Sequence, residues 1–260
     1  MVGRDVTADI HDSLFEQNAC HPSSGYGAAI HSDRGVLTLA RNRFLGNQNV
    51  STLSLSQGRL TSVDDVFLGN AEDTIYSGAD KVDINRGTFG DNARAAIIGA
   101  GSATSQITVT NSILYGNGDG VLIYAGRAGL RHCTLVGHTS HAVRSRSSAQ
   151  AVTVTNSIFA GNAYAIRVEA GTHDVSYCLF SGNTQQPITG SHAVTEDPLF
   201  VDAAGDDYHL QKTSPAIDKG VNLGIARDYD NERRPYGSAP DIGADEVKTI
   251  ISLFLPLVRR

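Results

Sequence analysis

The stretch "NSIFAGN" at residues 156–162 occurs again as "NSILYGN" at residues 111–117. Six looser copies keep the same outline: "DSLFEQN" from Asp12, "NRFLGN" from Asn42, "DDVFLGN" from Asp64, "RGTFGDN" from Arg86, "HCTLVGH" from His132 and "YCLFSGN" from Tyr177. They close on Asn18, Asn47, Asn70, Asn92, Asn117, His138, Asn162 and Asn183, in steps of 29, 23, 22, 25, 21, 24 and 21 residues. A unit recurring every 22 residues or so marks a solenoid, in which each unit buries its apolar face only against its neighbours.

The columns of this alignment say what the unit is made of. Three residues before each closing position stands a large apolar side chain: Phe15, Phe44, Phe67, Phe89, Leu114, Leu135, Phe159 and Phe180. Two residues earlier the side chain is small: Ser13, Asn42, Asp65, Gly87, Ser112, Cys133, Ser157 and Cys178. Side chains two apart in a strand point the same way, so both columns are expected on one inner wall. Gly precedes the closing residue in six of eight copies, Gln17 and Asp91 being the exceptions, and Gly-Asn marks a tight bend because both tolerate left-handed backbone.

Beyond the bend comes a second apolar position at Leu53, Ile75, Ile97, Val121, Val143, Ile166 and Ile188, with Ile30 later in the long first interval. A third short run follows, such as "VLTL" from Val36, "VDI" from Val82, "ITV" from Ile107 and "VTV" from Val152. Three β-rich segments leave no room for the helix that leucine-rich or ankyrin units require, and no apolar spacing of three and four recurs. The expected fold is all-β, a parallel β-helix with three strands per coil and about eight coils over residues 1–194.

These repeats resemble the right-handed parallel β-helix repeats of the pectate-lyase-like superfamily, and the handedness is what that resemblance implies. Downstream, "DPLF" from Asp197, "YHLQ" from Tyr208, "SPAIDKG" from Ser214 and "APDIGADE" from Ala239 are similar to the terminal block of bacterial choice-of-anchor Q domain proteins. The resemblance implies a protein of the cell surface or extracellular space with a variable anchor. The block, residues 195–247, breaks the period, fills with turn signals such as "AAGDD" and "DYDNERRP", and is expected to be an irregular C-terminal cap protecting the last coil. Residues 248–260 end in an apolar tail, which reads either as a sorting or anchor remnant, as the resemblance implies, or as a last strand against the cap. Its apolar run at 250–258, interrupted by Pro256, falls short of the roughly 20 residues of a transmembrane span. The opening residues show no export signal and enter the first repeat almost at once, so a piece of a longer secreted protein is expected.

Bulk properties narrow the function. With 260 residues, 27 glycines and only 18% charged residues, the chain has material for one elongated core and is expected to act as a monomer. A net charge of -6 without a basic run argues against a nucleic-acid partner, whose phosphates need clustered Lys and Arg. Cys133 and Cys178 share a column two coils apart, about 9.6 Å at strand stacking distance, so they are expected as buried free thiols. Cys20 falls in the irregular first interval with "ACHPSSGYG".

The closing column of Asn18, Asn47, Asn70, Asn92, Asn117, His138, Asn162 and Asn183 is expected to form a structural ladder, each amide bonding its neighbours, with His138 as the weakest rung. Lyases of the superfamily hold calcium with stacked carboxylates, and hydrolases need a carboxylate pair. Here Asp64 sits between Arg41 and Arg86 in its column, Asp65 points inward, and Glu72 aligns with Arg94 and Asp119, so no column stacks carboxylates on consecutive coils. No catalytic residue, cofactor or metal ligand is assigned. Asp228, Asp230 and Asn231 carry oxygen atoms of the kind calcium takes, but their spacing suits turn chemistry better.

A binding strip is the expectation that remains. One residue beyond the second apolar position lie His31, Ser54, Tyr76, Ile98, then, with a shifted coil, Ile123, followed by Arg144, Arg167 and Thr189, with Tyr124 close by. Tyr76 and Tyr124 as stacking faces, with Arg144 and Arg167 as forks, suit a polysaccharide or cell-surface glycan, although the sequence has no Trp and an ordinary solvated sheet with scattered apolar residues is the plainer alternative. A polysaccharide lyase or glycoside hydrolase is the alternative.

Overall fold

The computed structural model describes residues 2–21, 27–185 and 188–248. Part of the loop after Ala19 and the apolar tail at 249–260 lie outside the described residues. Among the described residues, three faces of parallel strands wind through the repeats, eight strands to a face. The first face carries, among others, Ile30–Asp33, Leu53–Leu55, Ile75–Ser77, Ile97–Gly99 and Tyr164–Val168. The second carries Thr7–His11, Gly35–Ala40, Gly58–Val63, Lys81–Asn85, Gln106–Thr110 and Thr172–Ser176. The third holds the strand of the NSIFAGN-type repeat, from Leu14–Glu16 through Val66–Leu68 to Leu179–Ser181. In two coils the first and second faces are joined in one long strand, Val121–Arg131 and His141–Thr155, which turns the corner through register shifts at Ile123/Ala125 and Gly126/Arg127.

The large apolar column stacks as its register demands. Phe15, Phe44, Phe67 and Phe89 lie ring on ring at 4.7, 4.6 and 4.7 Å with planes within 7° of parallel, and Phe159 meets Phe180 at 5.2 Å. Leu114 and Leu135 continue the column and are fully buried. Ring spacing equals strand spacing, so parallel register alone imposes the stack. Burial of each such ring contributes about 2–3 kcal/mol.

The bends show a division of labour finer than the Gly-Asn signal. The residue before the closing position is left-handed in every coil, including non-glycine Gln17 and Asp91 at φ 52° each. The closing Asn itself is not. A second left-handed column stands just before the small residues: Asp12, Arg41, Asp64, Arg86, Asn111, His132, Asn156 and Tyr177, all with φ between 47 and 59°. Left-handed backbone costs ordinary residues about 1–2 kcal/mol each. Hydrogen bonds one residue on offset that cost.

Two polar ladders supply them. In the first, Asn18, Asn47, Asn70 and Asn92 donate through backbone N–H and Nδ2 to the Oδ1 of Asn47, Asn70, Asn92 and Asn117 in turn, at 2.7 to 3.0 Å. The series resumes from Asn162 to Asn183 at 2.9 Å. The second runs through the small column. Asp65 Oδ1 accepts Asn42 N–H at 2.7 Å and Asn42 Nδ2 at 2.9 Å, while Ser112 and Ser157 accept the N–H of Gly87 and Cys133 at 3.1 and 3.2 Å. Cys133 and Cys178 are buried free thiols, pushed up to about 12 by desolvation.

The charged column at the second corner pairs differently from its sequence order. Arg86 forks onto Asp64 at 2.6 and 2.9 Å, but Arg41 reaches back to Asp12 at 2.6 and 2.7 Å rather than forward to Asp64.

The terminal block follows the last coil and then folds back along the outer side of the third face. Bridges from Ser191 to Ser176 and from Val194 to Leu179 add a partial rung beyond the last full coil. From there Leu210, Ala216, Ile242 and Val247 pack on the outward side chains Ile158 and Leu179, and Tyr208 packs on Tyr115 at 5.3 Å. Polar pins run along the seam: Tyr229 Oη with Thr88 Oγ1 at 2.6 Å, Ala244 N–H to Thr134 Oγ1 at 3.0 Å, and Val221 N–H to Asn156 Oδ1 at 2.9 Å. Arg234, 3% exposed, inserts its guanidinium between His132 and the carbonyls of Asp241, Gly243 and Ala244. Asp228 serves the block as a staple, accepting N–H groups of Glu232 at 2.7 Å and Glu246 at 3.2 Å, as turn chemistry requires.

Candidate functional site

The outward column of the first face is set by strand register: His31, Ser54, Tyr76, Ile98, Leu122, Arg144 and Arg167 lie one above another. Leu122, not Ile123, holds the middle place; Ile123 points inward and is fully buried. No shifted coil intervenes, because Leu122 follows Val121 as Ile98 follows Ile97. Thr189 lies outside the strands of this face among the described residues.

Ile98 and Leu122 face outward yet are only 4% and 6% exposed, because Ala95, Ala100 and Tyr124 pack around them. They form the apolar floor of a groove of about 550 Å³, flanked by Tyr76, Tyr124, Arg94, Arg144 and Arg146. Tyr76 stands 41% exposed at its side. Three of the four side chains expected to bind, Tyr76, Tyr124 and Arg144, therefore line one groove. Arg167 stands one rung beyond.

The arginines are not bare. Arg144 donates through Nε and an Nη nitrogen to Glu169 Oε1 at 2.9 and 2.6 Å, Arg167 Nε lies 3.2 Å from the same oxygen, and Arg146 Nε lies 3.8 Å from Oε2. Hydrogen bonding by Arg144 holds the Glu169 carboxyl below its usual range. Arg146 also lies over the Tyr124 ring at 5.5 Å and Arg167 over Tyr164 at 5.7 Å, within cation-π range. The sequence reading placed two like charges side by side and missed the glutamate that bridges them, which stands just after the strand Tyr164–Val168.

Carboxylates line the opposite side. Asp73 and Asp119 precede the inward Ile75 and Val121 by the same two residues, so they share a column two rungs apart with Ala95 between them. Counting forward from the closing Asn had matched Asp119 with Glu72; the bend after Asn117 is one residue shorter than those after Asn70 and Asn92, which moves Asp119 into the Asp73 column. Arg94 does meet Glu72, at 3.1 Å. Asp119 Oδ1 accepts the His141 N–H at 2.9 Å and lies 3.1 Å from its ring Nδ1, and the imidazole stacks on Tyr164 at 4.6 Å. Burial pushes the His141 pKa down and that of Asp73 up. Counting back from the apolar anchor would have found the pair.

No helix among the described residues is long and apolar enough to cross a membrane. A family model described as "Right handed beta helix region" matches residues 6–150, more than half of the chain. Comparison with curated proteins gives no match.

Proposed function

This chain belongs to the right-handed β-helix family, and on that premise we propose that it is a non-catalytic carbohydrate-binding β-helix of the cell surface or extracellular space, acting as a monomer. The observation that carries the reading is the groove floored by Ile98 and Leu122, flanked by Tyr76 and Tyr124 and edged by guanidinium groups. Sugar rings offer an apolar face and a hydroxyl rim. Aromatic faces take the first, and the forks of Arg94, Arg144 and Arg146 with the carboxylates of Asp73 and Asp119 take the second. The resemblance of residues 195–247 to choice-of-anchor Q blocks supports the surface location. The test is affinity electrophoresis through gels containing pectin, alginate, glycosaminoglycan or neutral glucans. Retardation that Tyr76→Ala with Tyr124→Ala removes supports the reading; migration unaffected by every polysaccharide overturns it.

A second reading rests on Asp73 and Asp119. Two rungs separate them by about 9.6 Å, close to the separation used by inverting glycosidases. Against it, Asp119 is already committed to the N–H and ring of His141, and Asp73 accepts the Ala95 N–H at 3.2 Å. New reducing ends from a polysaccharide substrate, lost in Asp73→Asn, would favour the hydrolase; new unsaturated ends would favour a lyase.

A further inference from the structure

Away from the groove, three segments of the terminal block bring ligand-type atoms to one point. His209 lies on the strand Asp207–Leu210, Asp230 in the turn that Asp228 staples, and Asp245 in the segment after Gly243. One ligand atom from each lies within 4.8 Å of the others. His209 Nε2 is 2.8 Å from Asp230 Oδ2 and Nδ1 is 2.5 Å from Asp207 Oδ1. Asp245 is buried, and its Oδ2 is fixed by the Leu210 N–H at 2.8 Å. A hollow of about 320 Å³ opens beside them, bordered also by Lys212 and by Glu232, which is paired with Lys248 at 2.5 Å.

We propose that His209 Nε2 and one carboxylate oxygen each from Asp230 and Asp245 bind a divalent transition-metal cation of the zinc type, with Asp207 as a positioning residue. The set is not a patch of acids alone. An imidazole nitrogen selects zinc or cobalt over calcium and magnesium, which prefer all-oxygen shells. Metal-bound histidines almost always give their other ring N–H to a carboxylate or carbonyl, which fixes the tautomer and turns the free nitrogen to the metal. Asp207 stands where that partner belongs.

The first two ligands stand nearly at the spacing a metal needs, and Asp245 lies within 4.8 Å of both. Around a tetrahedral zinc with bonds near 2.0–2.1 Å, ligand atoms lie about 3.3 Å apart. Nε2 and Asp230 Oδ2 therefore separate by about half an ångström as the cation enters, and Asp230 is on an exposed turn. The proton that bridges them leaves to solvent, and water fills the remaining position. Bound metal would tie the strand Asp207–Leu210, the 228–232 turn and Asp245 together, which is the stapling role that small irregular blocks need.

The test uses untagged, chelator-treated full chain in isothermal titration with zinc chloride. Expected are one zinc site per chain, a raised unfolding temperature with Zn2+, and no such response to Ca2+ or Mg2+ at the same concentration. His209→Gln and Asp230→Asn, both at partly exposed positions, should weaken binding by at least about tenfold, and Asp207→Asn by roughly 10–100-fold while shifting the visible spectrum of the Co2+ form. Absence of zinc binding by the folded wild-type chain overturns the proposal without any variant. So does an equal response to Ca2+, or zinc binding unchanged in His209→Gln.

Discussion

His138 hangs from Asn162: its backbone N–H donates to Asn162 Oδ1 at 3.0 Å, while its buried imidazole makes no well-formed hydrogen bond through either nitrogen. An amide in the same place would reach a neighbouring backbone carbonyl, as Asn162 Nδ2 reaches Leu135 O at 3.0 Å. His138→Asn should therefore stabilise the chain by about 1–3 kcal/mol, the cost of a buried polar group left unpaired. Urea unfolding at neutral pH measures it; a lower midpoint would show that the ring's packing matters more than the ladder.

The same substitution should flatten the acid limb of stability. Burial pushes the His138 pKa down from 6.5 to about 4. The unfolded chain thus takes up this proton in a range where the folded chain refuses it, and folding stability falls as pH drops from about 6.5 to about 4. Above 6.5 the contribution is complete. Over that window the wild type should lose up to about 3 kcal/mol more than His138→Asn. Parallel stability curves for the two proteins between pH 4 and 7 would refute it.

Phe67 gives a prediction with an internal control. It is fully buried and stacked at 4.6 Å on Phe44 and 4.7 Å on Phe89. Phe67→Ala should cost about 3–5 kcal/mol through lost burial and the cavity left behind. Leu114 and Leu135 already fill this column in two coils, so Phe67→Leu should cost less than half as much. Equal losses in the two variants would mean that ring stacking, rather than filled volume, holds the column.

That column was legible in the sequence because apolar residues one coil apart must meet, and their spacing survives degradation of everything around them. The amide ladder was legible for the same reason. The second left-handed column was not: Arg41, Arg86 and His132 are residues that avoid such backbone, and in each case the N–H of the next residue is held by a side-chain acceptor one coil on. The groove was half legible. Tyr76 and Arg144 followed from counting, but Ile123 was taken for Leu122 by allowing a shift that Val121 does not make, Asp119 was displaced by the shorter bend after Asn117, and Glu169 was hidden because a bridging ion pair leaves no periodic trace. The side-on course of the terminal block rests on contacts such as Tyr229 with Thr88, more than a hundred residues apart, that no local pattern announces.

The three arginines around Glu169 make the charge preference of the groove testable. Arg144 and Arg167, one rung apart, would repel each other if left unneutralised, and the Glu169 carboxylate sits between them at 2.6 and 3.2 Å. A carboxylate or sulfate on a bound glycan would meet the same forks and compete with it. Glu169→Gln keeps the shape and removes the charge, so retention on alginate or pectin should rise while retention on a neutral glucan is unaffected. Arg144→Ala combined with Arg167→Ala should do the reverse for acidic gels. The melting temperature should stay nearly unaltered in both variants, since ion pairs at this solvated face contribute little to stability. Acidic-glycan retention that fails to respond to either variant would leave the tyrosines and the apolar floor as the whole of the binding surface.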